Sequence, residues 1–291
     1  MTSDLAEQFP ANPAQAEYWN TARGEQWVTH QAALDARFEN IRDALLARAG
    51  ARPGENALDV GCGTGATTLA LAERVGSGGA VLGIDISKPM LELASRRCAA
   101  RGLEQVRFLR ADAQSHAFEQ AAHDLLVSRF GVMFFSAPVA AFANLRRALR
   151  PGGRLAFVCW GPLEANPGFA LPLAAGVRAL GPPDPEPPRA PGPLAFAERA
   201  YVEEILAGAG FAEVGIETVT ERLPGARSAA QEAAFARVVG PLARLIQTRA
   251  PEPATVEAMV EEVAASFARY ETDAGVQVPA TLHYVQARQP V

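Results

Sequence analysis

The sequence predicts an α/β fold, a mostly parallel sheet with helices on both faces. Short apolar runs recur at 56–60 (NALDV), 80–85 (AVLGID), 105–110 (QVRFLR), 123–128 (HDLLVS) and 154–160 (RLAFVCW), with helical stretches between them. Strands alternating with helices of about 10–15 residues build βαβ units and hence a parallel sheet. The runs carry no polar face, as strands covered on both sides by helices require. A glycine-rich turn follows the first run, where such folds bind ligands.

Each element has its own signal. Residues 13–50 read as helical, because Leu34, Phe38, Ile41 and Leu45 fall on one helical face. Gly50 and Pro53 end that stretch. The first strand runs through its glycine loop into a helix ending near 75, and the second strand into a helix over 87–101, with Ser87 suited to the N-cap. Residues 138–149 form a helix opening on Pro138. RPGG at 150–153 then leads into the fifth strand. Beyond 160 the pattern loosens. Seven prolines in the thirteen residues 181–193 make a stiff loop. A helix over 197–209, a strand over 211–223, helical stretches at 228–249 and 253–270, and a strand over 276–288 complete the chain.

Composition bounds the function. The chain has 291 residues, 49% hydrophobic and 20% charged, which supplies a core and excludes wholesale disorder. A net charge of −5 argues against a protein that lives on nucleic-acid phosphates. Cys62, Cys98 and Cys159 form no CxxC pair, so neither a disulfide framework nor a zinc site is expected, and a reducing cytoplasm suits them. The opening MTSDLAEQFP has acidic residues and no apolar run, so it does not read as a signal peptide. The longest apolar runs are too short to span a bilayer. No His/Asp/Glu cluster is spaced to hold a metal.

The strongest motif is LDVGCGTGA, Leu58 to Ala66. Glycines at 61, 63 and 65 let the backbone turn sharply and approach a ligand. The following helix offers free N–H groups at its start. Asp85, at the end of the second strand, is placed to accept hydrogen bonds from two ribose hydroxyls. Asp112, after the third strand, is placed to meet an adenine amino group. This is a site for a nucleoside with an anionic tail. Gly61, Gly63 and Ala66 also satisfy G-x-G-x-x-G/A, so a nicotinamide cofactor stays open on these residues alone.

With LDVGCGTG at 58–65, GIDIS at 83–87, RADA at 110–113, HDLLVSRFGVMFF at 123–135 and LRPGGRLAFVCW at 149–160, the chain resembles class I S-adenosylmethionine-dependent methyltransferases. The nearest flavour is the small-molecule group that includes ubiquinone and menaquinone biosynthesis enzymes. The resemblance covers about 56–160. It implies a Rossmann-like seven-stranded sheet with the last strand antiparallel, strands 211–223 and 276–288 being the sixth and seventh. It implies that Asp59 and the loop Gly61, Cys62, Gly63 and Gly65 line the methionine part of S-adenosylmethionine. Asp85 would hold the ribose, Ile86 and Met90 pack on the adenine, Asp112 and Ala113 meet its edge, and Ser128 sit by the methionyl group. Cys62 itself reads as packing beside the backbone, not as a nucleophile.

Other residues carry weaker signals. Tyr18, Trp19 and Trp27 bury an N-terminal helix against the sheet or close a lid over the cofactor, and Tyr18 and Trp27 are counted with the cofactor site on the second reading. His116 is the candidate base and Arg129 the candidate anchor for a substrate carboxylate, unless His116 is a surface residue and Arg129 pairs with a structural acid. His30, His123 and His283 have lesser claims.

The expected organisation is one methyltransferase domain over 1–291, with a helical lid at 1–50, a cofactor core at 51–160, and substrate-cover segments plus two strands at 161–291. Apolar residues Leu163, Phe169, Leu171, Leu173, Leu180 and Phe196 would line the cover, whereas 224–275 would line it too, cover a sheet edge or form a homodimer contact. The expected activity is methyl transfer to a small apolar or aromatic molecule in the cytoplasm. An NAD(P)-dependent oxidoreductase and a noncatalytic cofactor-binding partner subunit are the alternatives.

Overall fold

A computed structural model describes Phe9 and residues 11–291. The rest of the opening ten residues, read above as no signal peptide and as the start of a lid, lies outside the described residues.

The N-terminal helical stretch is four helices rather than one run: α1 (Pro13–Trp19), α2 (Ala22–Thr29), α3 (Gln31–Arg37) and α4 (Glu39–Ala49). His30 and Phe38 interrupt it with φ near −100° and ψ of 14°, outside the helical well, so the chain changes direction there. Leu34, Phe38, Ile41 and Leu45 are all buried, as their spacing predicts. Gly50 ends α4 in the left-handed region at φ 59°.

The alternation follows: β1 (Asn56–Val60), α5 (Ala66–Val75), β2 (Ala80–Asp85), α6 (Lys88–Ala100), β3 (Val106–Arg110), β4 (His123–Arg129), α7 (Pro138–Ala148) and β5 (Leu149–Trp160). Then come α8 (Pro167–Leu180), α9 (Arg199–Gly208), β6 (Ala212–Pro224), α10 (Ala229–Ala236), α11 (Pro241–Arg249), α12 (Pro253–Phe267), the two-residue β7 (Glu271–Thr272) and β8 (Gly275–Arg288). Helix α8 was not foreseen, because Pro172 interrupts its pattern. The stretch 228–249 is two helices, since Gly240 at φ 102° followed by Pro241 breaks it.

The strand order is β3-β2-β1-β4-β5-β8-β6, with β7 paired to β8. Strands β1 to β5 are parallel. Backbone bonds joining Gly152 to Gln289 and Gly161 to Thr281 run β8 antiparallel to β5. Side-chain bonds joining Thr218 to His283 and Thr220 to Thr281 run it antiparallel to β6. The order reverses direction between β1 and β4, and the crevice beyond such a switch point is where open α/β sheets hold ligands.

The chain divides into two compact units. The first comprises residues up to Trp160 with Pro191–Thr218 and His283–Val291. Its core includes interlocked rings, with Phe142 centred 5.5 Å from Phe157 and 6.2 Å from Phe196. Fully burying a Phe stabilises by about 1.5–3 kcal/mol. Phe196, expected to line a substrate cover, is thus a core residue, 1% exposed. The second unit, Gly161–Ala190 with Val219–Leu282, has a core of its own. Ala175, Ala233, Leu242, Met259, Val263 and Phe267 pack with Val276 and Val278, and Leu171 and Leu180 lie against them. The proline-rich stretch runs from this unit into the first as a loop. Among the described residues no helix is long and apolar enough to cross a membrane.

Candidate cofactor site

The glycine loop is held at the switch point by backbone bonds. The amides of Gly61 and Cys62 both donate to Ile84 O, at 2.9 and 3.1 Å. Gly61, Gly63 and Gly65 all have positive φ, at 66°, 54° and 86°. A Cβ on Gly65 would press on Ala94 at 3.0 Å, so this glycine lets α5 and α6 approach. A Cβ on Gly63 would meet only Met90 Sδ, at 3.8 Å.

An acid stands at the end of each of three successive strands. Asp59, in β1, is 1% exposed. Its Oδ2 accepts from Thr68 Oγ1 at 2.6 Å, while Oδ1 is buried with no partner. Burial pushes its pKa up to about 6, against the pull of Thr68 and Arg129. Asp85 ends β2 and accepts from Gly63 N and Ser87 N, both at 2.8 Å. Each of its oxygens keeps a second lone pair for a ribose hydroxyl. Burial raises its pKa, and these amides oppose the rise. Asp112 follows β3. Its Oδ1 accepts from Gln114 N at 2.9 Å and Asn12 Nδ2 at 3.5 Å, and its Oδ2 is buried and unpartnered. Burial raises its pKa too. Ala113 beside it is buried.

Ser128, in β4, is fully buried. Its hydroxyl donates to Val60 O at 2.7 Å and accepts from Gly131 N at 3.2 Å. It therefore staples β4 to β1 at the crevice. Cys62 is buried, and desolvation together with Asp85 and Asp59 pushes its thiol well above the ordinary range, as packing and not nucleophilic duty requires.

The N-terminal helices are latched beside this loop by residues that sequence reasoning missed. Asn20 donates to Ile86 O at 3.0 Å and accepts from Lys88 N at 2.9 Å and Arg110 Nη2 at 3.2 Å. It thus caps α6 from a distance, while Ser87, expected to do so, turns its hydroxyl to Trp19 O at 2.7 Å. Arg97 ties Asp35 of α3, at 2.5 Å, to Thr64 O of the glycine loop, at 2.6 Å. Trp19 sits edge-on to Tyr18, Trp27 and Phe134, at 5.1, 6.1 and 5.2 Å.

The two candidate catalytic residues are not brought together. His116 packs edge-on to Phe118 at 4.7 Å, with its carbonyl held by Asn144 Nδ2 at 2.8 Å. Arg129 lies over the Phe38 ring, 5.6 Å from its centre, with Asp35 and Asp59 the acids acting on it. Among the described residues it forms no ion pair with an acid. Beside it Phe130, at φ 63°, stacks on Trp160 at 4.7 Å. His123 opens β4, and His283 is satisfied by Thr218 and Ala197 O, both at 2.9 Å. Among the described residues no His/Cys/Asp/Glu group could hold a metal.

The residues present fit S-adenosylmethionine. Orphaned carboxylate oxygens stand at both ends of the crevice, Asp85 between them has lone pairs to spare, and the loop between is open at Gly63.

Comparison with known proteins agrees. A family model described as a methyltransferase domain matches residues 57–153. The chain is 35% identical over 185 residues to nocamycin O-methyltransferase of Saccharothrix syringae, covering 61% of this chain and 66% of that one. It is 38% identical over 112 residues to a demethylmenaquinone methyltransferase of Staphylococcus aureus, covering 38% and 46%. The matches thus span about half to two thirds of these curated relatives. In fold it resembles the Haemonchus contortus phosphoethanolamine N-methyltransferase solved with S-adenosyl-L-methionine, with a TM-score of 0.59, 19% identity, and 95% and 60% of the two chains covered. Residues 57–153 thus match a methyltransferase domain, and the motifs and strand order around them are similar to those of class I S-adenosylmethionine-dependent methyltransferases.

Proposed function

We propose that the chain transfers the cofactor's methyl group to a small apolar or aromatic acceptor. The observation that supports this best is the row of buried acids Asp59, Asp85 and Asp112 at the ends of adjacent strands. They match the ammonium, the ribose diol and the adenine amino group in order along one cofactor. The sulfonium supplies both electrophile and leaving group when bound. The chain's own task is to align an acceptor with it and exclude water. The relatives named for nocamycin and demethylmenaquinone support a small-molecule acceptor, and the acidic charge balance favours it over nucleic acid.

Calorimetry with S-adenosylhomocysteine tests the cofactor half. Asp85→Asn keeps an acceptor for one amide and loses the charge, so affinity should fall at least tenfold with the fold intact. Transfer of label from S-adenosylmethionine to a panel of phenols, quinones and carboxylic acids tests the acceptor half. Binding of NADH in place of S-adenosylhomocysteine would restore the oxidoreductase reading. Tight cofactor binding with no transfer to any acceptor would favour a partner subunit.

A further inference from the structure

Phe130 is held in a conformation that its side chain disfavours. It follows β4 directly and has φ 63°. For a bulky residue the left-handed region is costly, and a glycine would adopt it freely. The surroundings enforce it. The Phe130 amide donates to Val158 O at 3.1 Å, and the Gly131 amide to Ser128 Oγ at 3.2 Å. Gly131 is itself closed against Gly61, whose added Cβ would lie 2.6 Å from its Cα. Among the described residues the other non-glycines at positive φ are Ala121, Arg189, Glu213 and Ala250, none of which carries an aromatic ring. Such strain persists only where the structure around it fixes it, and it gathers at functional sites. The turn needs a positive φ but not a ring, so the ring is kept for what its face can do.

That ring belongs to a wall. It stacks on Trp160, the last residue of β5, with centres 4.7 Å and planes 7° apart. Phe38 meets both edge-on, at 5.5 and 6.0 Å. Phe38 and Trp160 are buried, at 8% and 7% exposed, whereas Phe130 is half-buried. Phe130 is therefore the member of the wall with surface left to offer. Arg129 pairs with Val158, so β4 and β5 end side by side and the wall stands on the edge of the sheet that takes ligands. Through Gly131 and Gly61 it adjoins the glycine loop. Trp160 fixes the plane of the Phe130 ring in advance. A second flat ring laid on it gains the offset stacking that aromatic pairs add to area burial, and a puckered skeleton gains the area alone.

We propose that Phe130, backed by Trp160 and edged by Phe38, is the specificity-determining platform for the methyl acceptor, and that it selects acceptors whose nucleophile is carried on a planar ring system. The proposal rests on the methyl-transfer reading above and narrows its acceptor from apolar or aromatic to planar aromatic.

The test uses two skeletons of like size, flat 2-naphthol and its saturated counterpart decahydro-2-naphthol, added to protein loaded with S-adenosylhomocysteine. Wild type should prefer 2-naphthol by about fivefold, and the naphthol ring protons should shift upfield in NMR spectra, a measurement that needs no variant. Phe130→Leu should cut the preference to about twofold or less and leave S-adenosylhomocysteine affinity within about twofold, and Phe130→Tyr should keep the preference. Equal binding of the two skeletons by wild type, or no binding of 2-naphthol to the loaded protein, would overturn the platform. So would a Phe130→Leu variant that retains the preference. Loss of 2-naphthol and S-adenosylhomocysteine together in Phe130→Leu would reduce the ring to a support of the crevice and overturn the proposal as well. Failure of wild type to bind S-adenosylhomocysteine would instead overturn the methyl-transfer reading beneath it.

Discussion

Gly61 and Gly131 stand back to back where β1 and β4 part. A Cβ on Gly61 would lie 2.6 Å from Gly131 Cα, and one on Gly131 would lie 2.8 Å from Gly61 Cα and 2.5 Å from Val60 O. The contact is backbone on backbone, so no side chain can swing away to relieve an added methyl group. It sets the closest approach of the two strands at the point where the sheet reverses its order.

Gly131→Ala should therefore destabilise the protein by about 1–3 kcal/mol, as overpacking does, and weaken S-adenosylhomocysteine binding. Gly215→Ala is the control, because nothing lies within 4 Å of its added Cβ. Denaturant titration of both variants checks this. Equal stability of the two would mean that the loop yields where the packing says it cannot.

Asp59 makes stability depend on pH. Its folded value of about 6 lies above the ordinary 3.8, so the native state binds the extra proton between them. The stability tied to that proton is full below the unfolded value and is lost as pH rises through the folded one, to the extent of roughly 3 kcal/mol. Burial raises Asp85 and Asp112 in the same direction. Asp59→Asn should gain on wild type by about that amount between roughly pH 4 and pH 7. A difference in unfolding free energy that stays constant with pH would show that Asp59 is ionised throughout.

Cofactor binding should expel the same proton. An ammonium set beside Asp59 lowers its pKa, and a group that titrates near 6 is about half protonated there. Calorimetry of S-adenosylhomocysteine at about pH 6, in two buffers of different ionisation enthalpy, should show release of up to about half a proton. The release should vanish in Asp59→Asn. Heats that do not change with buffer would remove Asp59 from the ammonium contact.

Asn20→Ala should unfasten the N-terminal helices. Each hydrogen bond that Asn20 makes to Ile86 O, Lys88 N and Arg110 is worth about 0.5–1.5 kcal/mol net. Amide exchange over 13–30 should quicken and a cost of about 1–3 kcal/mol appear, with β1 to β5 unaffected. Uniform quickening over the whole chain would mean that Asn20 supports the entire fold.

What was legible in the sequence was what depends on near neighbours along the chain. The strand pattern, the glycine turn and the spacing of Leu34, Phe38, Ile41 and Leu45 are local signals, and they locate the sheet, the switch point and the buried helical face. The positions of Asp85 and Asp112 were legible because they sit at strand ends. Asn20, Asn12 and Arg97 were not. Their partners lie 68, 100 and 62 residues away, and nothing near an asparagine announces such a bond. Helix α8 was hidden by Pro172, and the turns at His30 and Phe38 by an apolar spacing that continues across them. Phe196 was misread because an apolar residue beside a proline loop looks the same whether it faces a ligand or a core.

The position of β8 bears on how the chain assembles during synthesis. It lies between β5 and β6 although it follows both in the sequence. While the ribosome is still adding residues beyond 275, β5 has a bare outer edge and β6 has no partner in the sheet. Strands β1 to β5 can pair as they emerge, but β6 must wait for residues 275–288 before it joins them. Until that segment has been made, the nascent chain carries an open strand edge, the state most exposed to association with other chains.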